Sequence, residues 1–199
     1  MMSELLFPFP DRDASRKILE TDPCFGKIPL DERKAVFERA WNTGEREAKR
    51  FWKQGKEGSA LSMLQILTER QFHIKMLDAD YVMGNIRYFC EYMSEQNIVY
   101  IYRKSVELWA EANRLPYETA LNVILAHEYF HYLEWHEIGC VSRQCLVPMV
   151  TLGPFSLGKT GVAALSEVGA NAFANSCYKK WKEYLKEHKE EERMDAVHV

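Results

Sequence analysis

The chain has 199 residues, 47% hydrophobic and 28% charged, with a formal net charge of −3. This composition is typical of one globular domain, and it excludes the strongly basic balance of many nucleic-acid-binding proteins. No apolar run reaches the ~20 residues of a membrane-spanning helix, and residues 1–16 lack the features of a signal peptide, so we expect cytoplasmic residence. The five cysteines form no CxxC pair, which predicts free thiols rather than a disulfide framework.

The first part of the chain predicts an arm followed by two helices. Residues 1–30 hold four prolines and little periodicity, which indicates an arm with at most one short helix. Asp31 is suited to cap a helix that runs to about Gln54, and Ser59 to cap another that runs to about Arg70. Apolar residues at helical spacing support both helices: Phe37, Trp41, Ala48 and Trp52 in the first, and Leu61, Leu64 and Leu67 in the second.

Alternation of apolar and polar residues then predicts three short strands. They cover residues 72–76, 86–92 and 98–102, with turn-length gaps between them. Gaps of that length favour a small, mostly antiparallel three-stranded sheet. We expect an edge strand of this sheet, preferably within residues 84–92, to bind an extended peptide by strand addition.

The second part of the chain predicts three helices and one loop. The helices cover residues 105–113, 116–138 and 162–193, and Gly139 provides the C-terminal stop of the second. Glycine and proline are frequent in residues 139–161, which predicts a long irregular loop that could form a wall or lid of a cleft.

These elements predict an α+β fold that is mainly helical, with the small sheet packed by one long helix. We divide the chain into an N-terminal arm (1–30), a single domain (31–178) and a charged helical C-terminal extension (179–199).

The most informative motif is HExxH at residues 127–131, within the second of these helices. Residues i and i+4 share one helical face, so both imidazoles can bind a single metal ion. The glutamate between them is placed to take a proton from a metal-bound water. The motif predicts zinc-dependent hydrolysis, with His127 and His131 as ligands and Glu128 as general base. Two unrelated helix histidines are the alternative interpretation.

A catalytic zinc usually has three protein ligands, so the third must come from another segment. Glu167 in the last predicted helix is the candidate, and an exposed helix carboxylate is the alternative. Asn171 lies one turn further on the same face, where its side-chain oxygen could orient a ligating histidine. Small residues would let the two helices approach closely: Gly169, Ala170, Ala172 and Ala174.

A rival third ligand lies nearer in sequence. Another type of zinc site places a histidine ten residues after the first, where this chain has Glu137, with His136 one place early. The glycine that bends such chains is replaced by Glu134, a good helix former, which argues against the rival. Glu134 is three residues from His131 on the same face, and we expect it to accept a hydrogen bond from that ring. Candidates for the donor that stabilises an oxyanion are Tyr129, Tyr132, His136, Arg143 and Tyr178.

HExxH followed by E-x-x-A-N-x-F-A, here residues 167–174, resembles the ImmA/IrrE family of zinc metallopeptidases, within the gluzincin-type zincins. The similarity covers roughly residues 31–178 and implies a zincin-like fold. The site residues that it implies are the zinc ligands His127, His131 and Glu167 and the catalytic base Glu128. Gly169 stands where members often carry an acid or another polar residue, and Tyr129-Phe130 where they often have Leu-Gly.

We therefore predict a cytoplasmic zinc metallopeptidase with one catalytic Zn²⁺, acting on a peptide or protein substrate. The alternative is a metal-binding regulatory or interaction protein of zincin fold with little or no proteolytic activity. Some relatives act on or alongside a DNA-binding repressor, so the resemblance also implies a regulatory protein as a partner type. The chain has no helix-turn-helix or basic patch of its own, and we expect no direct contact with nucleic acid or membrane.

Overall fold

The computed structural model describes residues 9–54, 62–84, 86–153 and 155–195, which form a mixed α/β fold. The helices are α1 (Arg12–Thr21), α2 (Arg33–Gln54), α3 (Met63–Glu69), α4 (Arg103–Ala112), α5 (Tyr117–Leu133) and α6 (Ala164–Asp195). The strands are β1 (His73–Leu77), β2 (Tyr81–Met83), β3 (Ile86–Tyr88), β4 (Cys90–Met93), β5 (Ile98–Tyr102), β6 (Leu146–Leu152) and β7 (Phe155–Gly161). Within these ranges, no helix combines the length and apolar composition needed to cross a bilayer.

The predicted helices are confirmed, with corrections at their ends. The apolar stripe of α2 is buried at Phe37, Trp41 and Ala48. Ser62, rather than Ser59, caps α3, because its hydroxyl accepts from the Gln65 N–H while the Gln65 side chain accepts from the Ser62 N–H. The predicted cap Ser59, the residue Leu61 and the helix-breaking Gly55 and Gly58 lie outside the described residues.

The three-stranded sheet has the order β1-β5-β4, and the expectation of a mostly antiparallel sheet was wrong. β4 is antiparallel to β5, but β1 is parallel to it, with His73 opposite Ile98. Parallel strands need a crossover connection. The chain between β1 and β5 supplies one, because it contains both the β2–β3 hairpin and β4. The predicted strand 86–92 is accordingly divided at Phe89 between that hairpin and the main sheet.

Residues 139–161 are also more regular than predicted. A 3-10 turn (Val141–Gln144) is followed by the antiparallel hairpin β6–β7, so the predicted irregular loop is corrected. Gly153 follows β6 and adopts a positive φ of 57°, a conformation that glycine takes at low cost. The glycine and proline content that indicated a loop therefore reflects a hairpin.

Helix α6 is the centre of the helical layer, because α1, α2 and α5 all pack against it. Its small residues Ala170, Ala172 and Ala174 are fully buried. A Cβ on Gly169 would lie 2.8 Å from the Phe130 ring of α5, so close approach of the two helices depends on the missing side chain. The predicted role of small residues in bringing α6 to the HExxH helix is thus confirmed for Gly169, whereas Ala172 lies against Gly44 of α2.

The N-terminal segment contains the predicted short helix and joins the core. In α1, Ser15 and Leu19 are buried. Asp22, which follows α1, accepts a hydrogen bond from the Ala164 N–H at 2.8 Å and so ties α1 to the first turn of α6.

Replacing Gly44 with alanine is expected to destabilise the fold by at least about 3 kcal/mol. The new Cβ would overlap the backbone oxygen of Gly169 and lie 2.7 Å from the Ala172 Cβ, so α2 and α6 would have to separate. Urea unfolding measures the change. Gly26→Ala is the matched control, since a Cβ at Gly26 meets no atom within 4 Å, and we expect it to alter stability by less than about 0.5 kcal/mol. Equal stability of the two variants would contradict this account of the helix crossing.

Candidate metal centre

Helix α5 holds His127 and His131 on one face. Pro116 precedes its first turn, where a residue without an N–H loses no helical hydrogen bond. The Nε2 atoms of the two rings lie 3.2 Å apart, and each side chain is only about one-fifth exposed (22% and 20%). The two imidazoles therefore converge on one point at the surface of α5, as the i, i+4 spacing predicts.

Glu167, in the first turn of α6, faces the same point. Its Oε2 lies 3.2 Å from His127 Nε2, and its Oε1 lies 3.5 Å from His131 Nε2. Tetrahedral zinc, with ligand bonds of about 2.0–2.1 Å, separates its ligand atoms by roughly 3.3 Å. The two nitrogens and the carboxylate thus have both the chemistry and the spacing of a zinc site. Among the described residues, His127, His131 and Glu167 form the group of three His, Cys, Asp or Glu side chains whose ligand atoms are close enough together to bind one metal ion.

A buried hydrogen-bond chain fixes the orientation of His127. The Nδ1 atom lies 3.0 Å from Asn171 Oδ1, and Asn171 Nδ2 donates to Ser15 Oγ at 3.1 Å. Ser15 Oγ in turn donates to the Asp11 carbonyl. Because the amide nitrogen of Asn171 is engaged by Ser15, its oxygen faces the ring, so His127 Nδ1 is the donor. In the neutral ring, the lone pair is then on Nε2, which faces Glu167.

Glu134 orients His131 in the same way. Its Oε2 lies 2.9 Å from His131 Nδ1, and its Oε1 accepts from the Val141 N–H and from Ser166 Oγ, both at 2.7 Å. The carboxylate is almost fully buried, at 4% exposure. It lies in residues 134–138, where α5 widens to π-helical winding, a local distortion that often marks a functional site.

Electrostatics favour an ionised Glu167 and a protonated His131 when no metal is bound. Burial alone would raise the pKa of the Glu167 carboxyl, but a hydrogen bond from His127, which the ring donates when Nε2 is also protonated, and the charges of both histidines lower it to about 2. Burial opposes the charge on His131, but the hydrogen bond to Glu134 and the carboxylates of Glu167 and Glu128 outweigh it and raise the pKa of His131 to about 9. A proton therefore occupies the position where a cation would bind.

Zinc binding should become about tenfold tighter per pH unit between pH 7 and pH 9, because His131 must lose that proton before it can bind a metal. The raised pKa also means that the charged ring stabilises the metal-free fold fully below about pH 6.5, and that this stabilisation is lost as the pH rises through about 9. Competition with a chromophoric chelator measures the affinity. Glu134→Gln removes the negative charge at nearly constant volume and should flatten the pH dependence. An affinity independent of pH in the wild type would contradict the prediction.

Glu128 is half-buried beside the two histidines and accepts a hydrogen bond from the sheet. The backbone N–H of Tyr92 in β4 donates to Glu128 Oε2 at 3.2 Å. Burial raises the pKa of the Glu128 carboxyl above its ordinary value, against the lowering influence of His127 and His131. A carboxylate with a raised pKa is suited to accept a proton and to donate it again near neutral pH.

A cavity of about 220 Å³ opens beside His127 and Glu128. Its walls are mostly apolar and include Phe89, Cys90, Trp109, Val123 and Ile124, while Tyr88 and Asn171 add polar groups. Arg87 also lines the cavity and forms a bidentate ion pair with Asp80, with N···O distances of 2.7 and 3.0 Å. The cavity gives the candidate centre an adjoining binding space.

The rival ligands are engaged elsewhere. Glu137 pairs with Arg50 and with Arg70, the latter at 3.6 Å, and His136 Nε2 lies 3.2 Å from the Tyr92 hydroxyl. Tyr129, one of the candidate oxyanion donors, is 1% exposed. Its ring packs against Phe51, within the core.

Comparison of the chain with protein-family models, with curated proteins and with solved structures returned no match.

The structure brings together all six residues that the sequence indicated for the site: His127, Glu128, His131, Glu134, Glu167 and Asn171. Sequence reasoning missed three supporting groups, Ser15, Ser166 and the Tyr92 N–H. Ser166 directly precedes Glu167, and this adjacency was the one available signal. Ser15 and Tyr92 are 156 and 36 residues from their partners Asn171 and Glu128, so no local pattern connects them.

Proposed function

We propose that this protein is a zinc-dependent metallopeptidase. The observation that carries the proposal is the convergence of two imidazole nitrogens and one carboxylate at 3.2–3.5 Å spacing. A half-buried glutamate with a raised pKa lies directly beside them. This combination suits hydrolysis better than metal storage, because a site that only holds an ion has no need of an adjacent proton acceptor.

Each residue has a distinct part in the proposed reaction. His127, His131 and Glu167 would hold one zinc ion, which when bound acidifies a water molecule and polarises a carbonyl group. Glu128 takes the proton of the attacking water and passes it to the nitrogen of the leaving amine. Asn171 and Glu134 keep the two rings in the required tautomer, and the Tyr92 N–H keeps one oxygen of Glu128 oriented.

The substrate would bind along β4. This strand is at the edge of the three-stranded sheet, and its Tyr92 N–H is directed away from β5 toward Glu128. An extended peptide added at that edge would therefore pass in front of Glu128. We also propose that the chain has a zincin-like fold and is related to the ImmA/IrrE family.

Metal analysis combined with a peptide-library digest tests the proposal. We expect about one zinc ion per chain and cleavage of a subset of peptides, lost after treatment with a chelator and restored by added zinc. Zinc binding without cleavage of any peptide would overturn the peptidase and support a metal-binding regulatory or interaction protein. A chain that takes up no zinc would exclude both functions.

A further inference from the structure

We infer that the β6–β7 hairpin is a docking surface for a second copy of this chain. The inference goes beyond the proposed function and holds with or without peptidase activity. Four apolar side chains share one face of the hairpin, because the register pairs them across the two strands and alternate residues of a strand point to the same side. The pairs are Val150 with Leu157 and Leu152 with Phe155. We call these four side chains the apolar face.

The apolar face is open to solvent. Three of its four side chains are 76–77% exposed, and the fourth, Val150, is 48% exposed. The opposite side of the hairpin carries the polar pair Thr151 and Ser156 at the same level. A strand pair with one apolar and one polar side normally packs on its apolar side and leaves the polar side in water. The apolar face therefore has the pattern of a surface that is covered by another molecule.

The hairpin is anchored to its own chain near the base. Val147, at the start of β6, is buried. Lys27 donates hydrogen bonds to the carbonyl oxygens of Pro148 and Met149 at 3.0 and 2.9 Å. The base of the hairpin is thus fixed, and the apolar face begins beyond it. Because a two-stranded hairpin is only marginally stable in water by itself, a cover over this face would stabilise the distal half.

The area of the apolar face matches a weak dimer. From their exposed fractions, the four side chains present roughly 500 Å² per copy, which is within the range of apolar patches that mark interaction sites. Two such faces in contact would bury about 1,000 Å², which is the area that a specific interface needs at least.

The charge distribution favours an identical face as the partner. Residues 145–161 contain no acidic residue, and their one charged residue, Lys159, lies opposite Pro148 on the base side of the apolar face. Two copies related by a two-fold axis would bring apolar face against apolar face, with the lysines at the rim of the contact. The centre of such an interface buries no charge, as is usual for interfaces between proteins.

A lipid bilayer is the less suitable partner. Insertion of the hairpin would carry the outer edges of its two strands into hydrocarbon, where their backbone groups find no hydrogen-bond partner. It would carry the Thr151–Ser156 pair there as well. The net charge of −3 also gives the chain no overall attraction to anionic lipids.

Sedimentation equilibrium of the full chain at increasing concentration tests the inference. We expect the molar mass to rise from 23.3 kDa toward twice that value, with a dissociation constant of about 1–100 µM, as suits an interface of this small area. A chain that remains a monomer at about 500 µM would overturn the inference. A monomer that co-sediments with vesicles of phosphatidylcholine and phosphatidylglycerol would assign the face to a lipid surface instead.

Leu157→Glu should weaken the dimer at least about 30-fold, because it places a carboxylate within the apolar contact. Ser156→Glu is the matched control, since it adds the same charge at the adjacent residue on the opposite side of the hairpin. The control should stay within about twofold of the wild-type dissociation constant. Circular dichroism checks that both variants are folded. Equal weakening by the two variants would contradict docking through the apolar face.

A mixture of Leu157→Glu and Leu157→Lys identifies the partner as a second copy. The apolar face is only two residue pairs long, so the introduced charges of two docked copies would lie within about 10 Å, the screening length of ordinary buffers. The mixture should therefore associate at least about fivefold more tightly than either variant alone. No gain on mixing would overturn the face-to-face arrangement.

Discussion

Glu128→Gln is expected to lower the rate of peptide cleavage by about 100- to 10,000-fold, which is the usual contribution of a general base. Glutamine keeps the size of the side chain and can still accept the Tyr92 N–H hydrogen bond, but it cannot accept the proton of the attacking water. The zinc content should therefore stay at the wild-type value. Single-turnover cleavage of a peptide taken from the library digest, together with metal analysis, measures both quantities.

Glu137→Gln is the matched control for that experiment. Glu137 is a carboxylate at the end of the same helical segment, paired with Arg50 and Arg70 and outside the group that converges on the candidate centre. Its replacement should leave the rate within about twofold of wild type, as expected for a remote exposed pair. A Glu128→Gln variant that cleaves at the wild-type rate would exclude Glu128 as the base.

Glu167→Ala should weaken zinc binding by more than the 10- to 100-fold that loss of an outer hydrogen bond typically costs. The variant removes a direct donor, and the remaining two imidazoles leave the site open on the α6 side. Without this negative charge, the pKa of His131 should also fall, because Glu167 is one of the groups that raise it. Chelator competition at pH 8 measures the affinity, and circular dichroism shows whether the helices are retained.

Glu183→Ala provides the comparison for Glu167→Ala. Glu183 is on the same helix, exposed, and paired with Lys180 at 2.8 Å. Its loss should change neither the zinc affinity nor the fold. If Glu167→Ala bound zinc as tightly as Glu183→Ala, the third ligand would have to be another group.

The helices of this chain were predictable because their signals are local. Phe37, Trp41 and Ala48 recur at helical spacing and are buried as that spacing indicates. The interval between His131 and Glu134 likewise placed both side chains on one helical face, and they are hydrogen bonded at 2.9 Å. The roles of these residues as zinc ligand and orienting acceptor remain predictions.

The errors occurred where pairing partners are distant or where composition was misleading. The parallel pairing of β1 with β5 depends on how the chain crosses between them, and short gaps alone suggested antiparallel neighbours. Gly153 and Pro148 suggested an irregular loop. Pro148 is instead accommodated within β6, opposite Lys159, and Gly153 follows the end of that strand.

The amino-acid sequence by itself determined which helices form. It also determined that His127, Glu128 and His131 lie within little more than one turn of α5, because helical periodicity depends only on near neighbours. The tertiary structure alone decided that Glu167 meets those histidines, that Ser15 orients Asn171, and that a cavity opens beside Glu128. These features depend on which faces of distant segments pack together. The close crossings at Gly44 and Gly169 permit this packing, because a side chain at either position would collide with residues that are distant in the sequence.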